Sequence, residues 1–228
     1  GKRFEKEKEN MTKRPDYEES INVQFNDSPS IPNGRNIVDL HLKRLNAGKK
    51  VLSRNIKLQV YGPKKICIIG DNGCGKTTLL RAIHEHILEK KLACAYMPQD
   101  YSESMNPKEN AIDFISKTKN KDEITAIRTY LGSMNFTKEE MFRPTINLSG
   151  GQKAKLFFSK MIYQKANIII LDEPTRNLSP LSGPEIREAL QNYNGCIISV
   201  SHDRKFIEQV CDEVYILDED GLHLGSIF

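Results

Sequence analysis

The chain has 228 residues, which at about 150 residues per domain allows one large α/β domain with an extension. A chain of this length can bury a stable core without cross-links. Its 34 lysines and arginines against 30 aspartates and glutamates give a formal charge of +4, which permits a polyanionic partner but does not argue for one. A hydrophobic content of 38% argues against global disorder, and no apolar run approaches the roughly 18 residues of a membrane span.

The cysteines and the first residues bear on location. Five cysteines without a C-x-x-C pair indicate neither a disulfide framework nor a zinc site, so we expect a reducing, cytoplasmic compartment and no membrane insertion. The chain begins at Gly1, and no charged-then-apolar leader follows, so we interpret it as a fragment without a signal peptide.

The first 19 residues mix both charges and are interrupted by Pro15, which is typical of a solvated linker. We therefore expect residues 1–30 to be the end of an inter-domain linker and residues 31–228 to be the folded domain.

Two apolar patterns predict the architecture of that domain. Alternation over 38–42 and 56–60, on either side of a turn at 46–48, predicts an antiparallel β layer. Unbroken apolar runs at 65–69, 93–97, 168–171, 197–201 and 214–217, several of them separated by helical segments, predict a parallel core sheet buried on both faces. Residues 100–147 are polar and mostly helical, which predicts a short helical insertion, with the helical subdomain spanning about 100–160.

A phosphate-binding loop follows the first core strand. It consists of Gly70, Asp71, Asn72, Gly73, Cys74, Gly75, Lys76 and Thr77, and a helical run starts at Thr78. Glycines let backbone N–H groups meet a phosphate, while the lysine adds charge and the threonine hydroxyl can ligate Mg²⁺. A glycine turn without a ligand is the plain alternative, and the strand-before, helix-after context disfavours it.

Two acids end the strand at 168–171. We assign Asp172 to Mg²⁺ and Glu173 to the attacking water, because ligating the metal would keep one carboxylate from also acting as a base. Without other motifs, two acids after an apolar strand more often mark a strand end that turns to solvent. The phosphate-binding loop in the same chain favours the catalytic interpretation instead.

A third motif, Leu148-Ser149-Gly150-Gly151-Gln152, precedes an amphipathic run. Ser149 and Gln152 have the spacing of a capping box, so a helix is predicted to begin here with free N–H groups beside two glycines. The start of this helix is a second candidate site for an anion. If the motif is taken alone, an ordinary capped helix is the alternative.

Together these motifs resemble an ATP-binding cassette (ABC) nucleotide-binding domain, an α/β P-loop NTPase, over roughly residues 36–220. The set comprises the phosphate loop, Gln99 in YMPQD, LSGGQ at 148–152, ILDEPT at 170–175 and His202 in SVSHDR, in the family's order. The resemblance implies Mg²⁺ and ATP as cofactors.

The resemblance also implies roles that spacing alone does not. Gln99 would contact Mg²⁺ or the lytic water, and His202 the γ-phosphate. Ser149, Gly150, Gly151 and Gln152 would face the ATP of an opposing cassette, so that hydrolysis requires a partner cassette.

Within the family, the SHDRKFI run, the short insertion and the charged start resemble the C-terminal cassette of soluble ABC-F proteins. That resemblance implies a first cassette upstream as the partner, or a homodimer for this fragment, and a ribosome contacted, RNA included, through a linker mostly absent here. The run from 172 to 187 resembles the subset that protects ribosomes from antibiotics.

Two positions depart from the family pattern. Ser179 stands where an acidic residue is usual, which puts the coupling between two sites in doubt. The aromatic residue that usually stacks on adenine is missing, with Leu45 or His41 in its region, so weak stacking and loose base selectivity are expected.

Two rival functions stay open at this point. One is the energising ATPase subunit of a membrane transporter, which would need a groove for coupling helices in the 100–147 insertion. The other is a nucleotide-dependent binding module with feeble turnover, favoured only by Ser179.

Overall fold

A computed structural model describes residues 30–227, so the predicted linker lies outside the described residues except for its last position. The strands are β1 (Asn36–Ala47), β2 (Lys50–Tyr61), β3 (Lys65–Ile69), β4 (Cys94–Met97), β5 (Ile168–Asp172), β6 (Cys196–Val200), β7 (Glu213–Asp218) and β8 (Gly221–Leu224). The α-helices are α1 (Lys76–Glu89), α2 (Ala111–Ile115), α3 (Lys121–Ser133), α4 (Lys138–Phe142), α5 (Gly150–Tyr163), α6 (Ser182–Gln191) and α7 (Arg204–Val210).

The core is a six-stranded sheet in the order β4-β5-β6-β3-β7-β8. All neighbours are parallel except β7 and β8. Every residue of β5 and of β6 is buried, which explains their unbroken apolar sequences. The predicted parallel-rich α/β fold is therefore confirmed, while the edge strand β8 was not predicted because it is short and ends in the exposed Leu224.

The predicted antiparallel layer is the hairpin of β1 and β2, which pair over their length with Leu40 opposite Leu58 and Leu42 opposite Ile56. The apolar side of the hairpin joins one buried cluster with Leu79, Leu80, Ile83 and Ile87 of α1. Because that cluster also includes residues of β3, β5 and β6, helix α1 is held between the hairpin and the core sheet.

The segment between β4 and β5 is helical, as predicted for the insertion at 100–147. Helix α4 begins with a complete capping box in which Thr137 and Glu140 each accept from the other's backbone N–H. Phe114 of α2 contacts Phe157 of α5 edge to face at 5.0 Å between ring centroids, which fixes the insertion to the helix that follows the LSGGQ motif.

The parallel register brings the carboxyl ends of β3, β4, β5 and β6 to one edge of the sheet. In open α/β sheets this edge is where ligands bind. The phosphate loop, Gln99, the Asp172-Glu173 pair and His202 all follow these strand ends in the sequence.

Truncating Ile83 tests the sandwiching of α1. Its side chain is fully buried between the hairpin and the sheet, so Ile83→Ala should lower the free energy of unfolding by about 2–5 kcal/mol through lost burial and a residual cavity. Urea unfolding would measure it, with Leu88→Ala as the control on the same helix because Leu88 is 49% exposed. Equal losses in the two variants would contradict this packing.

Candidate functional site

The phosphate loop needs glycine where the backbone turns. Gly70 and Gly75 have φ values of 157° and 104°, in the region that L side chains rarely adopt. A Cβ on Gly70 would lie 2.6 Å from the carbonyl oxygen of Leu217, and one on Gly75 would lie 2.9 Å from Cδ1 of Leu52. The loop can therefore lie this close to its neighbours only without side chains.

Lys76, the first residue of α1, closes the loop on itself. Its ammonium group donates to the carbonyl oxygens of Gly70 at 2.7 Å and Asp71 at 2.9 Å. These two bonds hold the buried lysine at the loop, where a phosphate oxygen could take the place of the carbonyls.

Thr77 and Asp172 meet across the layer between α1 and β5. The threonine hydroxyl donates to Oδ2 of the aspartate at 2.8 Å, while the other carboxylate oxygen, Oδ1, is buried without a hydrogen-bond partner among the described residues. Burial is the main cause that raises the pKa of Asp172 above 3.8, and the Thr77 bond opposes it.

This arrangement fits Mg²⁺. A buried carboxylate oxygen lacking a partner, beside a hydroxyl, provides the hard oxygen ligands that the ion prefers. In the described part of the chain, no cluster of three His, Cys, Asp or Glu side chains could hold a metal alone. Mg²⁺ characteristically takes one or two protein ligands and completes its shell with water and substrate phosphates.

Glu173 turns away from its neighbour Asp172. Its φ is 50°, a left-handed conformation uncommon outside glycine, and its N–H donates to the carbonyl of Val200 at 2.8 Å. Its carboxylate accepts from the backbone N–H of His202 at 3.3 Å and makes a short contact with Nδ1 of that ring. The two acids predicted to divide metal binding from water activation thus have different partners.

These groups line one cavity of about 760 Å³. Its lining includes most of the predicted nucleotide and catalytic residues, and adds four that were not predicted from the sequence, Ala47, Leu52, Arg176 and Val200. The full lining is Ala47, Leu52, Asn72, Gly73, Gly75, Lys76, Thr77, Thr78, Gln99, Asp172, Glu173, Arg176, Val200 and His202.

The region expected to face a nucleobase differs from the sequence expectation. Leu45 is buried and His41 is exposed, and neither lines the cavity, whereas Ala47 and Leu52 near the hairpin turn do. Among residues 30–227, the imidazole of His202 is the one aromatic ring that lines this cavity. Weak base stacking therefore stays a prediction, and the aliphatic side chains of Ala47 and Leu52 are its basis. Ala47 and Leu52 reach the cavity because of the register between β1 and β2, and no sequence motif marks either residue.

The LSGGQ segment stands apart from this cavity. Ser149 and Gln152 form the predicted capping box at the start of α5, and Gln152 Nε2 also donates to Glu140 at 2.7 Å. Neither Ser149, Gly150, Gly151 nor Gln152 lines the cavity. A Cβ built on Gly150 would lie 3.5 Å from Cβ of Asn177, so the segment packs beside the loop that follows Glu173.

Ser179 in that loop is hydrogen-bonded to the start of α6. Its hydroxyl oxygen accepts from the N–H of Ser182, the first residue of α6, at 3.2 Å. An acidic side chain could accept the same bond, so the serine keeps a local structural role and omits only the negative charge.

Known proteins share both sequence and fold with this chain. Residues 53–176 match the model of the ABC transporter family. The chain is 31% identical to ABC transporter F family member 2 of Arabidopsis thaliana, over 97% of this chain and 34% of that protein. It is 32% identical to Protein GCN20 of Saccharomyces cerevisiae, over 74% of this chain and 24% of that protein. It thus spans about a third or less of these relatives.

Solved structures confirm the fold. A dimeric ATP-binding cassette in a post-hydrolysis state, bound to ADP and Pi, superposes with a TM-score of 0.68 at 16% identity, covering 85% of this chain and 98% of that one. A bacterial ABC exporter with ATP bound superposes with a TM-score of 0.69 at 17% identity, covering 93% of this chain and 42% of that one.

Asp172→Asn should separate stability from metal binding. A raised folded-state pKa means that the ionised carboxylate opposes folding once the pH is above that pKa, so the neutral amide should raise the nucleotide-free melting temperature at pH 7 by about 2 °C per kcal/mol regained. The gain should shrink as the pH falls and the wild-type carboxyl protonates. Mg²⁺–ADP should stabilise the wild type and fail to stabilise the variant in a thermal scan. Equal metal-dependent shifts in both would contradict the Mg²⁺ assignment.

Proposed function

Since this chain belongs to the ABC transporter family and is a cassette ATPase that uses ATP and Mg²⁺, we propose that it is the C-terminal cassette of an ABC-F protein that acts on the ribosome. The observation that carries the catalytic part is the convergence of Lys76, the Thr77–Asp172 pair and the Glu173–His202 pair on one cavity. The proposal extends to the reaction, to the facing cassette and to the cellular target.

The reaction is hydrolysis of ATP to ADP and phosphate by one water molecule. Lys76 would exchange its two loop carbonyls for phosphate oxygens, and loop N–H groups would neutralise the phosphates further. Mg²⁺, held by Thr77 and Asp172, would neutralise phosphate charge.

Glu173 would accept the proton of the attacking water, since Asp172 is engaged by Thr77 and by the metal. His202 would fix the direction of that carboxylate through its backbone N–H and its ring. Its side chain, 57% exposed against 13% for Glu173, is free to reach a phosphate in the cavity. Gln99 lines the same cavity and would orient the water or contact the metal.

A facing cassette completes the site. ABC cassettes work as dimers, and in this chain the LSGGQ segment lies outside the cavity that holds its own catalytic groups. Ser149, Gly150, Gly151 and Gln152 would therefore serve the nucleotide of the partner. That partner would be a first cassette of the same full-length protein, or a second copy when this chain is alone.

The ribosomal role rests on resemblance to ABC-F proteins along nearly the whole chain. The charged start and the SHDRKFI run support the same branch. Among residues 30–227 there is no helix with the length and apolarity to cross a bilayer. The run after Asp172 further favours ribosome protection against antibiotics as the task of the whole protein.

A transporter ATPase is the second candidate, because the helical insertion exposes apolar side chains. Phe142 and Ile146 are 49% and 62% exposed, and Phe142 borders a surface depression of about 680 Å³ with Lys138, Glu139 and Arg143. A coupling helix of a membrane subunit could occupy such a groove.

Glu173→Gln should abolish turnover while sparing binding. Removing the proton acceptor should lower kcat by about 10²–10⁴-fold, and ATP affinity should be retained because the phosphate loop is unchanged. Phosphate release and calorimetry would measure the two quantities, with the exposed Glu219→Gln as the matched control. A wild-type rate in Glu173→Gln would exclude Glu173 as the base.

Sedimentation should separate the two cellular roles. With ATP and Mg²⁺, the Glu173→Gln chain should pellet with purified ribosomes through a sucrose cushion, because the ATP-bound closed state persists. Lys76→Ala should stay in the supernatant, since it loses the charge that binds phosphate. Recovery only with membrane fractions would favour the transporter role, and antibiotic-inhibited translation restored by the full-length protein would support ribosome protection.

A further inference from the structure

The positive charge of the chain is concentrated on the hairpin of β1 and β2. Residues 36–61 contain six lysines and arginines against one aspartate, a balance of +5, whereas the whole chain carries only +4. The rest of the chain therefore sums to about neutral. We call these six residues the basic hairpin set: Lys43, Arg44, Lys49, Lys50, Arg54 and Lys57.

The basic hairpin set is exposed and lacks ion pairs. All six residues are exposed, and none forms a salt bridge within the described part of the chain. Arg44 lies directly opposite Arg54 in the antiparallel register, an arrangement of like charges that destabilises a sheet. A sequence selected only for hairpin stability would not place two arginines opposite each other.

The geometry of the hairpin separates an apolar side from a charged one. Leu40, Leu58 and Ile56 face inward to the cluster around α1, so the intervening residues, which include Lys43 and Lys57, face outward. Arg44 and Arg54 follow the alternation of the apolar residues and are exposed beyond them, and Lys49 and Lys50 lie at the hairpin turn. On that outer side His41 lies opposite Lys57, and Lys43 follows His41 at about 7 Å, two residues along the strand.

The outer side is poor in apolar anchors. Tyr61, at the end of β2 away from the hairpin turn, is the one large hydrophobic side chain that residues 36–61 expose. Exposed lysines and arginines with one peripheral ring suit a phosphate backbone better than the bases of a single strand, which require several stacking platforms. It also lacks the apolar face with which peripheral helices enter a membrane.

We propose that the outer face of the β1–β2 hairpin binds the sugar–phosphate backbone of double-helical RNA through Lys43 and Lys57, with the exposed charges of the rest of the basic hairpin set adding to the attraction. Charge complementarity supplies the affinity, and contacts of this kind are independent of sequence. The source of RNA rests on the proposed function, since a ribosome presents such helices on its surface. This contact would lie on the cassette itself, separate from any made by the linker.

The test removes two charges remote from the nucleotide cavity. Lys43→Gln/Lys57→Gln would be compared with Lys108→Gln/Lys119→Gln, which removes two exposed lysines from the helical insertion. The probe is a fluorescent RNA duplex of 20 base pairs and arbitrary sequence, followed by anisotropy between 50 and 200 mM salt. Losing two phosphate contacts should lower the slope of log K against log salt by about 2 and weaken binding by more than tenfold at 50 mM salt.

Several outcomes would overturn the proposal. These are equal losses in the two double variants, an unchanged salt slope in Lys43→Gln/Lys57→Gln, or binding of phosphatidylserine vesicles or poly-glutamate in place of the duplex. ATP affinity should be unchanged in both variants, which verifies that they fold.

The ribosome sedimentation experiment and the duplex-binding experiment test the two proposals independently of each other. If Glu173→Gln does not pellet with ribosomes while duplex binding still depends on Lys43 and Lys57, the ribosomal role is wrong and the RNA surface stands. If ribosome binding holds and duplex binding ignores the two lysines, the RNA surface is wrong.

Discussion

The parallel alignment of β3, β5 and β6 is the constraint on which the site depends. Val200, the last residue of β6, is in register with Ile68 of β3 and with Asp172 of β5, and its carbonyl accepts from the N–H of Glu173. The carboxyl ends of these three neighbouring strands therefore lie at the same edge of the sheet. Lys76, the two acids and His202 come from segments far apart in sequence, and this shared row of hydrogen bonds brings them to one edge.

The same burial that aligns the strands places the carboxylate of Asp172 in an unfavourable environment. Asp172 ends a strand of which every residue is buried, so its carboxylate loses water and gains only the Thr77 hydroxyl on one oxygen. Such a group favours any state in which a cation reaches the second oxygen. If Asp172 holds Mg²⁺ as proposed, the stability that the buried acid forfeits would be converted into affinity for Mg²⁺ together with the phosphates.

Much of this arrangement could be predicted from the sequence because local chemistry encodes it. The unbroken apolar strands and the capping box at Ser149 each leave a mark within a few residues, and the sheet and the helix start that they predict are confirmed. The glycine pattern at 70–75 is equally local, and Gly70, Gly73 and Gly75 have positive φ, while phosphate binding there stays a prediction. The roles assigned to the individual site residues remain predictions, although most of those residues now line one cavity.

Other features depend on pairing between distant segments, which no short pattern records. Ala47 and Leu52 reach the cavity because the hairpin lies over Gly75, and the position expected to contact a base, Leu45, is turned into the core instead. The side chain of Glu173 points towards His202 because the residue has a left-handed φ. Such a φ at a non-glycine residue could not be predicted from the sequence. The edge strand β8 escaped prediction for a simpler reason, since four residues with one exposed end carry little periodicity.

The loop after Glu173 contacts both the cavity and the LSGGQ segment of the same chain. Arg176 lines the cavity, Asn177 packs beside Gly150 of the LSGGQ segment, and Ser179 accepts a hydrogen bond from the first residue of α6. A movement of this loop would therefore change both the cavity proposed to bind the chain's own nucleotide and the LSGGQ segment proposed to face a partner. Because Ser179 carries no charge, such coupling has to pass through packing and hydrogen bonds, which act over a few ångströms, and it would require the two cassettes to be fully closed.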